Sequence, residues 1–426
     1  MSYKYNSAEP IKVKLSSLTV QQQFLLRDSK TFCIYPWIHL HTYPTGQTYP
    51  CCHADMNYPV GDAKENTLNE ITCSKDMCRL RKDMLAEKMS KECQRCYEQE
   101  EAGFFSGRKS ANKHHGHHID LITDRVYGDG VITRFKMTYW DIRFSNLCNL
   151  SCRSCGHIFS SQWYSDQAEL ADGDWKEHNK SLNIAGRFKG DMLEQVLEHI
   201  DDVEQIYFAG GEPLIMDEHY YILEELEKRK RFDVRLIYNT NFTRVNLKDR
   251  LVFDYWKKFD SVSVGASLDA MGPRAEYIRK GTKWADVEYN RKRMLEICPN
   301  VDFYVSATLS ILNALHLPNF HKDWVAKGFI KPQDFNINIL QDPQHYRIDV
   351  GLQAYKDKIK KVYQEHIEWL KEQDHLERAT NGFQSAIKFL AGNNNELQKF
   401  WQKTNQLDAI RNESILDFIP EIKEIL

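Results

Sequence analysis

The 426-residue sequence predicts an α/β fold: a partial (β/α)6 TIM-like barrel, preceded by a loop-rich, cysteine-rich domain and followed by a helical region. Three observations lead there. Between about 136 and 350, short runs rich in β-branched and aromatic residues alternate with stretches of helical period. Before about 135, seven of the chain's 11 cysteines lie among turn-forming residues. After about 351 only helical patterns occur. The predicted division is 1–135, 136–350 and 351–426.

In the first part the clearest helix is 75–90, where charged and apolar residues alternate at helical spacing. The polar tract His114–His118 reads as a solvated loop, and the unpartnered Cys73, Cys78 and Cys298 read as buried small apolar residues. In the second part the predicted strands are Lys136–Arg143, Gln205–Phe208, Val234–Tyr238, Ser261–Leu268, Phe303–Ile311 and Phe335–Leu340. Helices are predicted near 159–171, 217–229, 247–258, 284–297 and 318–327. Strands joined by helices of this length form parallel βα units with right-handed connections. Loops at the C-terminal strand ends then carry the site. The third part is expected to pack on the barrel or close it.

Composition narrows the function. Apolar residues make up 42% of the chain, enough for a large core, and the formal net charge of −3 gives no support to a nucleic-acid-binding chain. No run is apolar and long enough to span a membrane. The opening MSYKYNSAEPIKVKLSS lacks the apolar core of a secretory signal, so a cytoplasmic location is expected. In a reducing compartment, clustered cysteines read first as metal ligands.

The sharpest cluster is Cys148-Asn149-Leu150-Ser151-Cys152-Arg153-Ser154-Cys155, directly after the first barrel strand. Three thiolates on a short loop can hold three corners of a [4Fe–4S] cluster and leave the fourth iron open; a zinc site with a fourth ligand elsewhere is the alternative. The second strand ends in Tyr207-Phe208-Ala209-Gly210-Gly211-Glu212-Pro213. Adjacent glycines there let backbone approach a ligand, and Glu212 offers a carboxylate to an ammonium group; an ordinary tight turn is the plainer reading. The fourth strand ends near Ser267 and Asp269, with Arg279 soon after. Asn239 and Asn241 close the third.

In this order the motifs resemble those of the radical S-adenosylmethionine (SAM) superfamily. The resemblance implies that SAM chelates the open iron, that an electron from the cluster, delivered by an external flavodoxin- or ferredoxin-like reductant, yields a 5′-deoxyadenosyl radical, and that this radical abstracts a substrate hydrogen. It implies SAM contacts from Gly210, Gly211, Glu212, Pro213, Asn239 and Ser267, with Arg279 facing the SAM carboxylate. The position before the third cysteine is usually aromatic in the family. Here it is Ser154, which leaves the adenine to Phe159, Trp163 or Tyr207.

Upstream, Cys33 and Cys51 follow C-x12-G-x4-C about Gly46, and Cys93 and Cys96 form C-x2-C. Four thiolates close a zinc site or a cluster on ligand softness alone. Cys52 competes with Cys51, and the count from Gly46 favours Cys51. The pattern resembles the twitch fold, a half-size relative of the SPASM domain, which implies an auxiliary [4Fe–4S] cluster. Twitch usually follows the barrel, whereas this set precedes it. A redox-active second cluster implies dehydrogenation or bond formation; a structural one leaves epimerisation open. Asp269, Glu276, Asp342, His345 and Tyr346 are the candidate bases, Asp269 standing with Cys148, Cys152 and Cys155 as the expected catalytic set. The expected substrate is a small molecule, a sugar or a peptide, the last disfavoured because nothing at the N-terminus resembles a leader-peptide domain. The competing readings are an RNA-modifying radical SAM enzyme and a non-catalytic iron–sulfur carrier, redox sensor or zinc-stapled binding protein.

Overall fold

A computed structural model describes residues 13–123, 130–132, 135–171 and 173–425. Most of the opening segment read above for a signal lies outside them. Two compact units emerge: 1–145 with 183–210 and 221–237, and 146–182 with 211–220 and 238–426.

The principal strands, taken in chain order, are β1 (His39–Thr42), β2 (Gln47–Tyr49), β3 (Gly61–Asp62), β4 (Tyr139–Ile142) and β5 (Gln205–Phe208), then β6 (Arg235–Thr240), and in the second unit β7 (Val262–Ala266), β8 (Asp302–Leu309) and β9 (Phe335–Ile339). All six strands expected between 136 and 350 are present, shortened or shifted by a few residues. Between them lie helices such as Trp163–Leu170, Asp217–Lys228, Trp284–Ile297 and Leu317–Ala326.

In the first unit, β4 pairs in parallel with β5 (Tyr139↔Gln205, Trp140↔Ile206). It also pairs in parallel with β1 on its other side, placing His41 opposite Asp141. β1 was not foreseen: His-Leu-His-Thr shows no apolar alternation, yet all four residues are buried. It turns at Gly46 into β2, which pairs antiparallel with β3. Strands covered on both faces need apolar side chains throughout. Trp37, Ile38, Leu40, Trp140, Val203, Ile206 and Leu236 supply them.

In the second unit β7, β8 and β9 form a parallel ladder. The Ser267 N–H just beyond β7 donates to the Thr240 carbonyl at the end of β6, at 2.7 Å. Trp284, Phe320 and Trp324 pack edge to face or tilted under this ladder. The C-terminal part is helical as expected (Gln353–Leu370, Arg378–Phe389, Leu397–Arg411), and Arg378–Phe389 packs on β9. Each unit mixes strands and helices, with the cysteine-rich segment in the first and the C-terminal helices in the second.

Two expectations are corrected. The His114–His118 tract is no solvated loop: it ends the helix Gly107–His115 and continues into a 3-10 turn, with His114 and His115 buried. Of Cys73, Cys78 and Cys298, only Cys298 is buried; Cys78 is half-buried and Cys73 exposed.

Candidate active site

The three-cysteine loop lies in the second unit. Ser151–Cys152 pairs antiparallel with Arg279–Lys280, which sets Cys152 opposite Arg279. The Arg153 N–H donates to the Ile278 carbonyl at 2.8 Å. Side chains hold the loop's carbonyls: Ser160 donates to Leu150 (2.6 Å), the Trp163 indole to Cys152 (2.7 Å) and Arg411 to Ser151 (2.7 Å). The buried Arg153 guanidinium stacks on the Tyr277 ring at 3.7 Å and pairs with Asp408 and Glu413. The end of helix Leu397–Arg411 thus helps fix the loop's backbone.

Cys148 and Cys152 are buried and Cys155 half-buried. Burial pushes the Cys148 and Cys155 thiols up to about 12, and the neighbouring Cys152 adds to both shifts. Burial raises Cys152 too, opposed by the Arg279 guanidinium, which donates to its Sγ at 3.6 Å. Three thiols that crowd one another and resist ionisation fit a cationic iron centre, which reverses that penalty.

Of the residues named from sequence, Gly211 and Glu212 lie beside Leu147 at the start of the loop. Gly210 and Gly211 have φ of +84° and +27°. A side chain on Gly211 would strike the Leu147 carbonyl, which accepts from the Glu212 N–H at 2.7 Å. Only glycine allows the strand-end turn to lie this close to the start of the loop. Pro213 opens the 3-10 turn Pro213–Ile215. Glu212 is buried, and its carboxylate accepts from the Leu214 N–H (3.1 Å), the Thr240 hydroxyl (2.7 Å) and the Asn241 N–H (2.7 Å). Burial lifts its pKa to about 7 despite these bonds. Asn241 also donates to the Asn149 side chain at 3.0 Å. Asn239 and Ser267 are half-buried at their strand ends. Tyr207, in the first unit, lies 5.1 Å beneath the Arg143 guanidinium.

Asp269 is fully engaged. It receives two hydrogen bonds from Arg279 (2.8 and 3.0 Å) and one from the Thr308 N–H (2.8 Å). Of the other candidate bases, Glu276 accepts from the Trp284 N–H, Tyr346 is buried, His345 is half-buried and Asp342 is exposed. Trp163 is buried, and Phe159 is exposed.

The first unit brings Cys33, Cys51, Cys93 and Cys96 together: the other three all raise the Cys51 thiol further, after burial and the adjacent Cys52. Cys52 itself is pushed up to about 12 by burial and then by Asp141, so its thiol has a different main neighbour. Burial lifts Cys33 to about 12, opposed by the Tyr35 N–H. Burial raises Cys96, opposed by the N–H groups of Arg108 and Gly107. N–H groups aimed at sulfur are a device that tunes iron–sulfur centres.

Several neighbours carried no sequence signal. Asn112 grips the backbone on both sides of Cys33, accepting from the Ile34 N–H (2.9 Å) and donating to the Phe32 carbonyl (3.0 Å). Arg108 donates to the carbonyls of Phe32 (2.8 Å) and Ser29 (3.0 Å) and pairs with Glu100. A buried charge network joins His41 to Asp141 (3.0 Å) and Asp141 to Arg143 (3.0 Å). Against the cost of burial, Arg143 and His41 hold the Asp141 carboxyl well below the usual range. Partners this remote in sequence show only once the strand register is known.

Residues 33–97 match the SPASM family model, an iron–sulfur cluster-binding domain, a span that contains all four cysteines of the set. No curated protein matches the chain. Among solved structures, native anSMEcpe with bound AdoMet is 20% identical over 54% of this chain and 59% of its own, with a TM-score of 0.37. The same protein with AdoMet and the Cp18Cys peptide is 19% identical over 56% and 60%, with a TM-score of 0.37. The chain therefore spans about three-fifths of the length of the solved structures it matches. The chain thus carries a match to an iron–sulfur cluster-binding domain at 33–97, with a C-x3-C-x2-C loop behind it.

Proposed function

We propose that the chain cleaves SAM reductively at a cluster held by Cys148, Cys152 and Cys155, and that it oxidises or epimerises a small molecule, a sugar or a peptide. When bound, a [4Fe–4S] cluster carrying SAM supplies the 5′-deoxyadenosyl radical that removes a substrate hydrogen atom. The observation that carries this reading is the pairing of Ser151–Cys152 with Arg279–Lys280, which sets a fixed guanidinium at the thiolate ligands. Arg279 supplies a permanent positive charge for a carboxylate. Asp269 positions Arg279 through two hydrogen bonds rather than acting as a base. Glu212 becomes a carboxylate when an ammonium group arrives, since a nearby cation restores the charged form. Gly211, Pro213, Asn239 and Ser267 supply the remaining SAM contacts. Cys33, Cys51, Cys93 and Cys96 hold a second [4Fe–4S] cluster, which takes the substrate's second electron in an oxidation and is structural in an epimerisation, and a flavodoxin- or ferredoxin-like protein reduces the first.

The test is anaerobic purification followed by dithionite and SAM. The expected result is a brown protein with roughly seven to eight iron atoms per chain, as two clusters require, that releases 5′-deoxyadenosine. A zinc-loaded, colourless protein without SAM cleavage overturns the reading.

A further inference from the structure

We infer that His115, His118 and Glu204 form a divalent transition-metal site of the zinc type, separate from both cysteine sites. Their ligand atoms all lie within 4.8 Å of one another, the one such group of His, Cys, Asp and Glu side chains among the described residues. Local structure explains the approach. Helix Gly107–His115 tightens into the 3-10 turn Gly116–His118, so residues three apart fall on the same side. Glu204 comes from the segment leading into β5, where its N–H is fixed on the Thr138 carbonyl at 2.8 Å.

The spacing suits a metal. Tetrahedral bonds of about 2.0–2.1 Å put ligand atoms roughly 3.4 Å apart. His118 Nε2 and Glu204 Oε2 stand at 3.3 Å. His115 is 4% exposed, and its Nδ1 is buried without a hydrogen-bond partner. A buried ring nitrogen with no partner is an uncommon arrangement that a metal would satisfy. The His117 Nε2–H donates to the Glu204 carboxylate at 2.8 Å, the kind of contact that orients a ligating carboxylate. The rings of Tyr35 and Tyr139 flank His115 at 5.7 and 5.5 Å, supplying an apolar wall. Glu204 and His117 keep 42% and 26% of their side chains exposed, which leaves a way in. Two imidazoles and a carboxylate are borderline ligands that select zinc over magnesium or calcium. The metal would staple the helix that carries Arg108 and Asn112, the residues gripping the Cys33 backbone, to the start of β5.

The experiment uses the full chain with its iron–sulfur clusters reconstituted under anaerobic conditions. Zinc chloride is titrated against a chelating indicator, and the zinc-loaded protein is studied by X-ray absorption at the zinc edge. The expected result is about one tightly held zinc per chain, bound by nitrogen and oxygen at roughly 2.0–2.1 Å with imidazole scattering. His118→Ala and Glu204→Gln should each weaken zinc binding at least tenfold while the iron content stays unchanged. Failure of the wild-type chain to hold zinc overturns the proposal. So does zinc–sulfur scattering at about 2.3 Å, which would put the metal among the cysteines, and so do folded, iron-loaded variants that keep wild-type affinity. If a variant loses its iron, the wild-type absorption spectrum decides alone.

Discussion

The Cys148–Cys155 loop and the Cys33/Cys51/Cys93/Cys96 set both bury thiols, yet different chemistry surrounds them. The loop offers three thiols, with Arg279, Asp269 and Glu212 gathered beside them. The set offers four, and its neighbours are backbone N–H groups and an arginine already committed to backbone carbonyls and Glu100. An incomplete ligand set next to a buried guanidinium and two buried carboxyl groups suits a site where a charged small molecule completes the coordination. A complete one suits electron transfer or structure. The largest effect should separate the two. Cys152→Ala should abolish 5′-deoxyadenosine release. Cys93→Ala should lose the second cluster's iron yet retain SAM cleavage uncoupled from substrate. Iron analysis and product quantification on both variants check this, and a folded Cys93→Ala protein as dead in SAM cleavage as Cys152→Ala would erase the distinction.

The arginines sharpen the comparison at the next level. Arg279→Ala leaves Asp269, 2% exposed, as a buried carboxylate without its cation. Breaking such a pair costs about 3–5 kcal/mol. Arg279→Lys keeps a charge but loses the two-pronged geometry. It should fold and still weaken SAM binding, measured by isothermal titration, about tenfold or more. Arg108→Lys, in the other site, should leave SAM affinity unchanged. Equal losses of SAM affinity in both lysine variants would show that neither arginine is specific to its site.

Much of this contrast was legible in the sequence. Gln205–Phe208 and Phe335–Leu340 read as strands because short runs of β-branched and aromatic residues lie between helical stretches. The cysteine spacings drew attention to both groups, and burial raises the thiols of each. The invisible parts depend on register and on remote contacts. β1 hides two histidines in a buried strand, and His41 acquires meaning only opposite Asp141. Asn112 serves Cys33 from 79 residues away, since 112 less 33 is 79. Arg411 and Asp408 reach the cysteine loop from the far C-terminal helix. The histidine tract was misread because polarity suggests exposure, whereas the helix end buries His114 and His115.

The two sites should also answer pH in opposite senses. Glu212 is raised from 4.5 to about 7 by burial, so between those values the folded chain holds a proton that the unfolded chain releases. Its contribution is most favourable below 4.5 and declines as pH rises through 7, by about 3 kcal/mol at roughly 1.4 kcal/mol per pH unit. Glu100 is displaced downward: against its burial, Arg108 and Ser106 favour the carboxylate. Its contribution is present above 4.5 and is lost as pH falls below that value. Urea unfolding of the cluster-free chain at several pH values reads both. The wild-type stability relative to Glu212→Gln should decline between pH 4.5 and 8, and that relative to Glu100→Gln should decline below pH 4.5. A flat Glu212 difference would mean that the carboxylate is solvated.

The smallest effect probes the backbone grips. Ser160→Ala removes the hydroxyl that holds the Leu150 carbonyl, and Asn112→Ala removes both bonds flanking Cys33. One lost buried hydrogen bond costs about 1 kcal/mol, and a partner left unsatisfied adds about 1–3 kcal/mol. Each variant removes two bonds, because Ser160 also accepts from the Gln162 N–H, and Arg108 still satisfies the Phe32 carbonyl; the two should therefore cost about the same, about 1–3 kcal/mol each. Cluster chemistry gives a second readout. A Cys33 backbone free to move loosens one of four ligands, so the second cluster should release iron to a chelator faster in Asn112→Ala than in wild type. The three-cysteine loop is also held by Trp163 and Arg411, so Ser160→Ala should leave chelator release from the first cluster near the wild-type rate. Faster release from the first cluster in Ser160→Ala, with none from the second in Asn112→Ala, would make the loop the looser platform.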